Sequence, residues 1–299
     1  MSQLSAGLAI TPADPTNVDA AELSAENLTV RFQGLAAISD VSLTVRRHEI
    51  FGLIGPNGAG KTTLVNCLTG FQAPTEGRIL VGRQSTAGWE PMRFREMGIA
   101  RTFQAGRLFK EMSVLRKRRG RPEQIARLRL SLVPEGRRVF GTLTVAENLQ
   151  IGGYMLGDRA AARSDMERLL GHFPRLRERL HYPAGRLSGG EQQMLAVARA
   201  EMTRPRLLLV DEPSLGLAPE IIDQIYEILL ELRRREKLTL LLNEQSSARV
   251  LKFADRIYVL KGGAVGLEGR AADLRDGEAI RHTYFGFGSG ENPRVETTA

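Results

Sequence analysis

Residues 50–62 constrain this chain more than any other segment. An apolar run from Ile50 to Ile54 leads directly into Gly55, Pro56, Asn57, Gly58, Ala59, Gly60, Lys61 and Thr62. The pattern G-x-x-x-x-G-K-[ST], set between a strand and a helix, is that of a loop that cradles phosphates. Its glycines let backbone N–H groups close around phosphate oxygens, and the first helical turn adds a partial positive charge. Lys61 neutralises outer phosphates, and the Thr62 hydroxyl is placed to ligate Mg²⁺. Thr63, next in the same turn, joins the expected phosphate-binding set.

A strand–loop–helix unit of this kind calls for an α/β fold. Upstream and around it we expect strands at 28–32, 41–45, 49–54 and 77–81 and a helix at 62–69, half of them forming an antiparallel sheet. From Arg206 onward strand and helix alternate, with strands expected at 207–210, 238–242 and 257–260 and helices at 219–235 and 247–253. Such alternation implies a parallel sheet covered by helices. The strand at 207–210 ends in Asp211 and Glu212. A parallel strand presents its C-terminal end to the ligand crevice. Asp211 is therefore suited to hold Mg²⁺ through water, and Glu212 to poise an attacking water as general base.

Composition narrows the setting. The chain of 299 residues is 42% hydrophobic and 25% charged, which is ordinary for a soluble globular protein. A net charge of +8 points to an anionic partner, whether nucleotide, nucleic acid or an anionic membrane face. One cysteine, Cys67, rules out an internal disulfide. No apolar run approaches the ~18 residues of a membrane span, and the N-terminus lacks the basic start and long apolar stretch of a secretory signal. Residues 1–22 read as a flexible leader, 23–287 as one domain and 288–299 as a flexible tail.

One internal repeat stands out. The stretch 98–114 recurs in weakened form at 129–145: Gln104 and Glu135, Arg107 and Arg138, Phe109 and Phe140, and Val114 and Val145 all stand 31 positions apart. The basic run Arg116 to Arg121 lies between the copies. It reads as a solvated linker face rather than a nucleic-acid patch, because no aromatic interleaves it for base stacking.

Leu187, Ser188, Gly189, Gly190, Glu191 and Gln192, ahead of an apolar helix, carry a family resemblance. Ser188 and the N–H groups of Gly189 and Gly190 form a helix N-terminus that would serve as a second anion site. Between a phosphate loop and an acidic strand, this segment resembles the signature of ABC transporter ATP-binding subunits, and the resemblance covers about residues 23–286. It implies an ABC ATPase domain of the P-loop NTPase type, with an antiparallel β subdomain and a helical subdomain at about 105–190. It further implies that the signature closes on ATP held by another subunit. By the same resemblance Phe32 stacks on adenine (the alternative being a core phenylalanine). Gln104 is the glutamine that reaches Mg²⁺ and reports to the membrane partner, and residues 214–218 contact the opposite subunit. Gln245 stands where the family usually carries a histidine on the γ-phosphate; glutamine hydrogen-bonds a phosphate without adding charge, so slow hydrolysis is one consequence. Glu201 stands where an apolar residue is usual, and because burial without a partner costs several kcal/mol we expect it exposed or paired.

The first third of the chain resembles one ATP-binding subunit of branched-chain amino-acid importers, and the remainder resembles the other. The repeat then reads as both subunits' versions of one segment in a hybrid chain, joined near 115–120 with a linker at 115–129. Both copies, at 99–103 and 130–134, claim the strand position beside 207–210, and one of them takes it. The implied function is ATP binding and hydrolysis for an importer at the cytoplasmic face of a membrane. ATP and Mg²⁺ are the implied cofactors. The implied partners are permease subunits, a second ATPase subunit and, indirectly, a periplasmic binding protein, with no nucleic acid. The competing readings are a hybrid that binds ATP without coupling to transport and a non-transport ABC ATPase acting on nucleic acid.

Overall fold

The computed structural model describes residues 21–89, 99–101, 139–153 and 159–285. It begins with a hairpin of β1 (Ala21–Phe32) and β2 (Leu35–Arg46). Gln33 and Gly34 turn the chain with φ of 47° and 90°, a pairing of positive angles that matches the twist of the flanking strands. β1 starts well before the expected residue 28. Its buried side chains switch from Leu23 and Ala25 to Leu28 and Val30. The switch falls where the register shifts and Asn27 takes a φ of 50°, so a bulge breaks the alternation that reveals strands in sequence.

After β3 (Ile50–Ile54) come α1 (Lys61–Leu68), β4 (Glu76–Val81), β5 (Gln84–Ser85) and β6 (Ile99–Arg101). A helical group follows: α2 (Val145–Gly153), α3 (Arg159–His172), α4 (Pro174–Glu178) and α5 (Gly189–Glu201). Strand and helix then alternate as β7 (Leu207–Asp211), α6 (Pro219–Glu236), β8 (Thr239–Glu244), α7 (Ser247–Phe253) and β9 (Arg256–Lys261). β10 (Ala264–Arg270) and α8 (Glu278–Phe285) complete the described chain.

Two sheets result. β2, β1, β4 and β5 form an antiparallel sheet in that order. The second sheet runs β10, β9, β3, β8, β7, β6, parallel throughout except for the β9–β10 hairpin. Its central strands bury both faces, and the two-residue period divides them between two cores. Leu208, Val210, Leu240 and Leu242 point toward the helical side, where Val145, Leu149, Leu169 and Leu195 lie. Leu207, Leu209, Leu241 and Leu53 face the antiparallel sheet and α1. The sheet edge is settled by pairing: Ile99, Ala100 and Arg101 lie opposite Leu207, Leu208 and Leu209. The first repeat copy holds that position. The second copy at 130–134, Gln104 and the basic run from Arg116 fall outside the described residues.

Glu201 departs from expectation. It is 3% exposed, and its Oε1 has no hydrogen-bond partner. Met194, Val197 and Ala198 are buried on α5, and Glu201 falls on the same stripe, one or two turns on. Helical periodicity places it in the core whatever its chemistry. Burial pushes its pKa up to about 8, while Arg168 and Glu236 act in opposite directions.

Candidate active site

The site is assembled at the C-terminal edge of the parallel sheet. Register brings three strand ends level: Ile54 lies opposite Glu244, and Asp211 opposite Asn243. The loop after Ile54, the Glu244–Gln245 step and the Asp211–Glu212 step therefore share one rim.

The phosphate loop is shaped by Gly58 and Gly60, at φ of 80° and 96°. A side chain on Gly60 would meet Ala37 O at 2.6 Å and Ile38 Cγ2 at 2.7 Å, so the loop sits directly on β2. Lys61 opens α1 and is 5% exposed. Its Nζ donates to Gly55 O at 2.7 Å and Pro56 O at 3.3 Å, drawing the loop into a ring. Burial lowers its pKa, opposed by the carboxylates of Glu212, Asp211 and Glu244. An ammonium facing three acids across a rim of backbone amides suits a highly charged anion accompanied by a cation.

A cavity of about 420 Å³ lies over this loop. Residues 57–63 form its floor, Glu212 one wall, Leu35, Ala36 and Ala37 another, and the Gly262–Gly263 turn a third. The turn is held there by backbone bonds, Gly263 N–H to Ala59 O at 3.2 Å and Ser39 N–H to Gly263 O at 2.8 Å. Leu35–Ala37 and Gly262–Gly263 were not expected as site residues. A Gly-Gly pair between two apolar strands marks a turn, but nothing local says that the turn meets the phosphate loop.

Asp211 is 3% exposed and accepts a hydrogen bond from Asn243 Nδ2 at 2.6 Å. Glu212 follows with a φ of 45°, a left-handed conformation unusual for a side chain with a Cβ. Its N–H donates to Asn243 O at 2.8 Å and its carbonyl accepts from Leu215 N–H at 3.2 Å. This turn leaves Asp211 against the sheet and swings Glu212 to the cavity. Among the described residues no cluster of three acids, histidines or cysteines could hold a metal by itself. The Thr62 hydroxyl and the Asp211 carboxylate are hard-oxygen groups that could serve Mg²⁺, a cation that keeps several waters and takes ligands from phosphates.

The remaining expected residues are distributed differently. Phe32 is 49% exposed, which excludes the core alternative. It does not line the cavity, but Leu35, its partner across the hairpin, does. Gln245 is exposed at the rim. Ser188, Gly189 and Gly190 do not line this cavity either; they form the start of α5, where Ser188 Oγ accepts from Glu191 N–H at 3.3 Å and Glu191 accepts from Ser188 N–H at 2.8 Å. This reciprocal cap satisfies two otherwise orphaned donors. Gly190 has a packing role as well, since a Cβ there would lie 2.2 Å from Ile221 Cγ2 on α6. Gly190→Ala is expected to lower stability by ~1–3 kcal/mol through overpacking. Ile221→Ala in the same chain should restore part of the loss, read from denaturant midpoints.

Comparison with known proteins agrees with this geometry. Residues 38–215 match the family model described as ABC transporter. The branched-chain amino acid transport ATP-binding protein BraG of Pseudomonas aeruginosa is 40% identical over 264 residues, covering 88% of this chain and 99% of that protein. LivG of Escherichia coli, also a branched-chain amino acid transport ATP-binding protein, is 36% identical over 88% of this chain and 97% of its own. Among solved structures, the ADP conformation of MJ1267, an ATP-binding cassette of an ABC transporter, superposes with a TM-score of 0.69 at 27% identity, covering 89% of this chain and 99% of that one. With the family model spanning more than half of its residues and BraG aligned along nearly all of its own length, the chain belongs to the ABC transporter family of ATP-binding proteins.

Proposed function

We propose that this chain binds and hydrolyses ATP to drive an importer of branched-chain, hydrophobic amino acids. It would work at the cytoplasmic face of a membrane, beneath permease subunits and paired with a second ATPase subunit. A periplasmic binding protein would deliver the cargo to the permease. The observation that carries the reading is the buried Lys61 ammonium, closed over the phosphate loop in a cavity whose wall is Glu212. The names of BraG and LivG supply the cargo class.

In this reading the amides of residues 55–63 and Lys61 grip the phosphates, and Phe32 stacks on the adenine. Mg²⁺, held by Thr62, by Asp211 through water and by Gln104, would neutralise the phosphate charge. Glu212 accepts the proton of the water that attacks the γ-phosphorus, and Gln245 donates a hydrogen bond to the γ-phosphate. Ser188, Gly189 and Gly190, which do not line the cavity of their own chain, would close on the nucleotide of the second subunit. Residues 214–218 meet that subunit beside them.

The repeat at 98–114 and 129–145 supports a hybrid of two subunit types, with Ile99–Arg101 supplying the edge strand. A hybrid that binds ATP without coupling to transport is the second reading. Lys61→Ala is expected to raise the Kd for Mg·ATP by ~100-fold or more, the loss of a buried charge-assisted contact. Calorimetry on the purified chain measures this, and unchanged binding would overturn the nucleotide site. ATPase activity stimulated by co-purified permease subunits would dismiss the uncoupled hybrid.

A further inference from the structure

Glu244 is a buried acid that the proposed hydrolysis leaves without a task. It ends β8 at 1% exposure, and four hydrogen bonds converge on its carboxylate. Oε1 accepts from Ser214 N–H and from the Tyr226 hydroxyl, each at 3.1 Å. Oε2 accepts from Ser214 Oγ at 2.9 Å and from Gln245 N–H at 3.3 Å. The donors come from different places: the loop leaving Glu212, the buried face of α6, and the turn after β8.

Burial raises the pKa of Glu244, and the bonds from Ser214, Tyr226 and Gln245 oppose that effect. An apolar side chain would avoid the desolvation, so the polar node is a poor device for stability alone. What it does is tie an exposed loop to a buried helix and strand. Tyr226 is 1% exposed and stacks on Phe253 with ring centroids 4.7 Å apart, which makes it an anchor. Ser214 lies two residues beyond Glu212 in a loop whose next residue, Leu215, is 60% exposed. Within that loop Leu215 N–H donates to Glu212 O and Leu217 N–H to Ser214 O. Beyond the Glu212–Asn243 bond, the two bonds from Ser214 to Glu244 hold this loop to the end of β8. Glu244 itself pairs with Ile54, the residue before the phosphate loop.

We propose that Glu244 is a positioning residue for hydrolysis, fixing the loop that carries Glu212, together with the main chain of Gln245, at a set distance from the phosphate loop. The inference rests on the proposed hydrolytic role of the site. Phosphates held by the loop at 55–62 are thereby coupled through one carboxylate to residues 214–218.

Glu244→Gln keeps the size of the side chain but has one acceptor oxygen in place of two. In the full-length chain it is expected to lower kcat for ATP hydrolysis ~10- to 100-fold while the Kd for Mg·ATP moves less than ~3-fold, the pattern of an interaction needed in the transition state. Ser214→Ala removes the partner from a less buried position and is expected to lower kcat ~3- to 10-fold, again with binding retained. The two changes should not multiply, because they break one connection. The double variant is therefore expected to hydrolyse ATP no more slowly than Glu244→Gln alone. A kcat within twofold of wild type in Glu244→Gln would overturn the proposal, as would loss of binding in parallel with kcat or a fully multiplicative double variant. Wild-type protein that binds Mg·ATP but does not hydrolyse it would instead overturn the hydrolytic reading, and this inference with it.

Discussion

Glu212→Gln is expected to lower kcat for ATP hydrolysis by ~10²–10⁴-fold, the range for removing a general base, while the Kd for Mg·ATP stays within ~3-fold. The expectation follows from where the residue stands. Glu212 is the acid on the cavity wall, whereas Asp211 is buried against Asn243. The φ of 45° at Glu212 turns the chain between them. Glutamine preserves that turn and the side-chain length but cannot accept a proton from water. Steady-state hydrolysis and calorimetric binding on the same preparation separate the two effects. Wild-type turnover in this variant would move the base to another residue, and a parallel loss of binding would make Glu212 a ligand rather than a base.

Glu201→Leu is expected to stabilise the protein at neutral and alkaline pH. In the folded chain burial holds the Glu201 pKa at about 8, against an ordinary value of 4.5. Between those values the folded state keeps a proton that the unfolded state releases, so stability falls as pH rises from about 4.5 to about 8. At pH 7 the penalty is on the order of 3 kcal/mol, a sizeable share of a total near ~5–15 kcal/mol. Leucine keeps the apolar stripe of α5 filled, carries no proton and removes the unpartnered Oε1. The melting temperature should rise by roughly 5–10 °C at pH 7–8, with a smaller gain at pH 5. Melting curves of both proteins across that range provide the check: if the pH dependence is the same in both, Glu201 is not the titrating group.

These two residues also show how far the linear chain can be read. The role expected of Glu212 came from an apolar strand ending in carboxylates near a phosphate loop, a pattern contained in a few residues. Nothing local marks Glu244, because its surroundings come from Ser214 and Tyr226, 30 and 18 positions away. Glu201 departs from its local signal for a different reason. Its chemistry argued for the surface, but its place on the helix period put it in the core, and the side chain takes up a proton instead of a partner. In the fold, β3, β7 and α7 were legible because each is a compact run bounded by turns. The early part of β1 was hidden by the bulge at Asn27, and β10 by a half-buried face with no clear alternation.

The phosphate loop, the acidic strand end and the capped start of α5 were determined by sequence alone, since each depends on backbone conformations set within about eight neighbouring residues. Sheet order and register decided the rest. They placed Ile99–Arg101 beside Leu207–Leu209, and brought Leu35–Ala37 and Gly262–Gly263 to the cavity. They also made Glu244 the meeting point of loop, helix and strand. Contacts between strands far apart in the chain come from packing two sheet faces at once, and no local pattern encodes that.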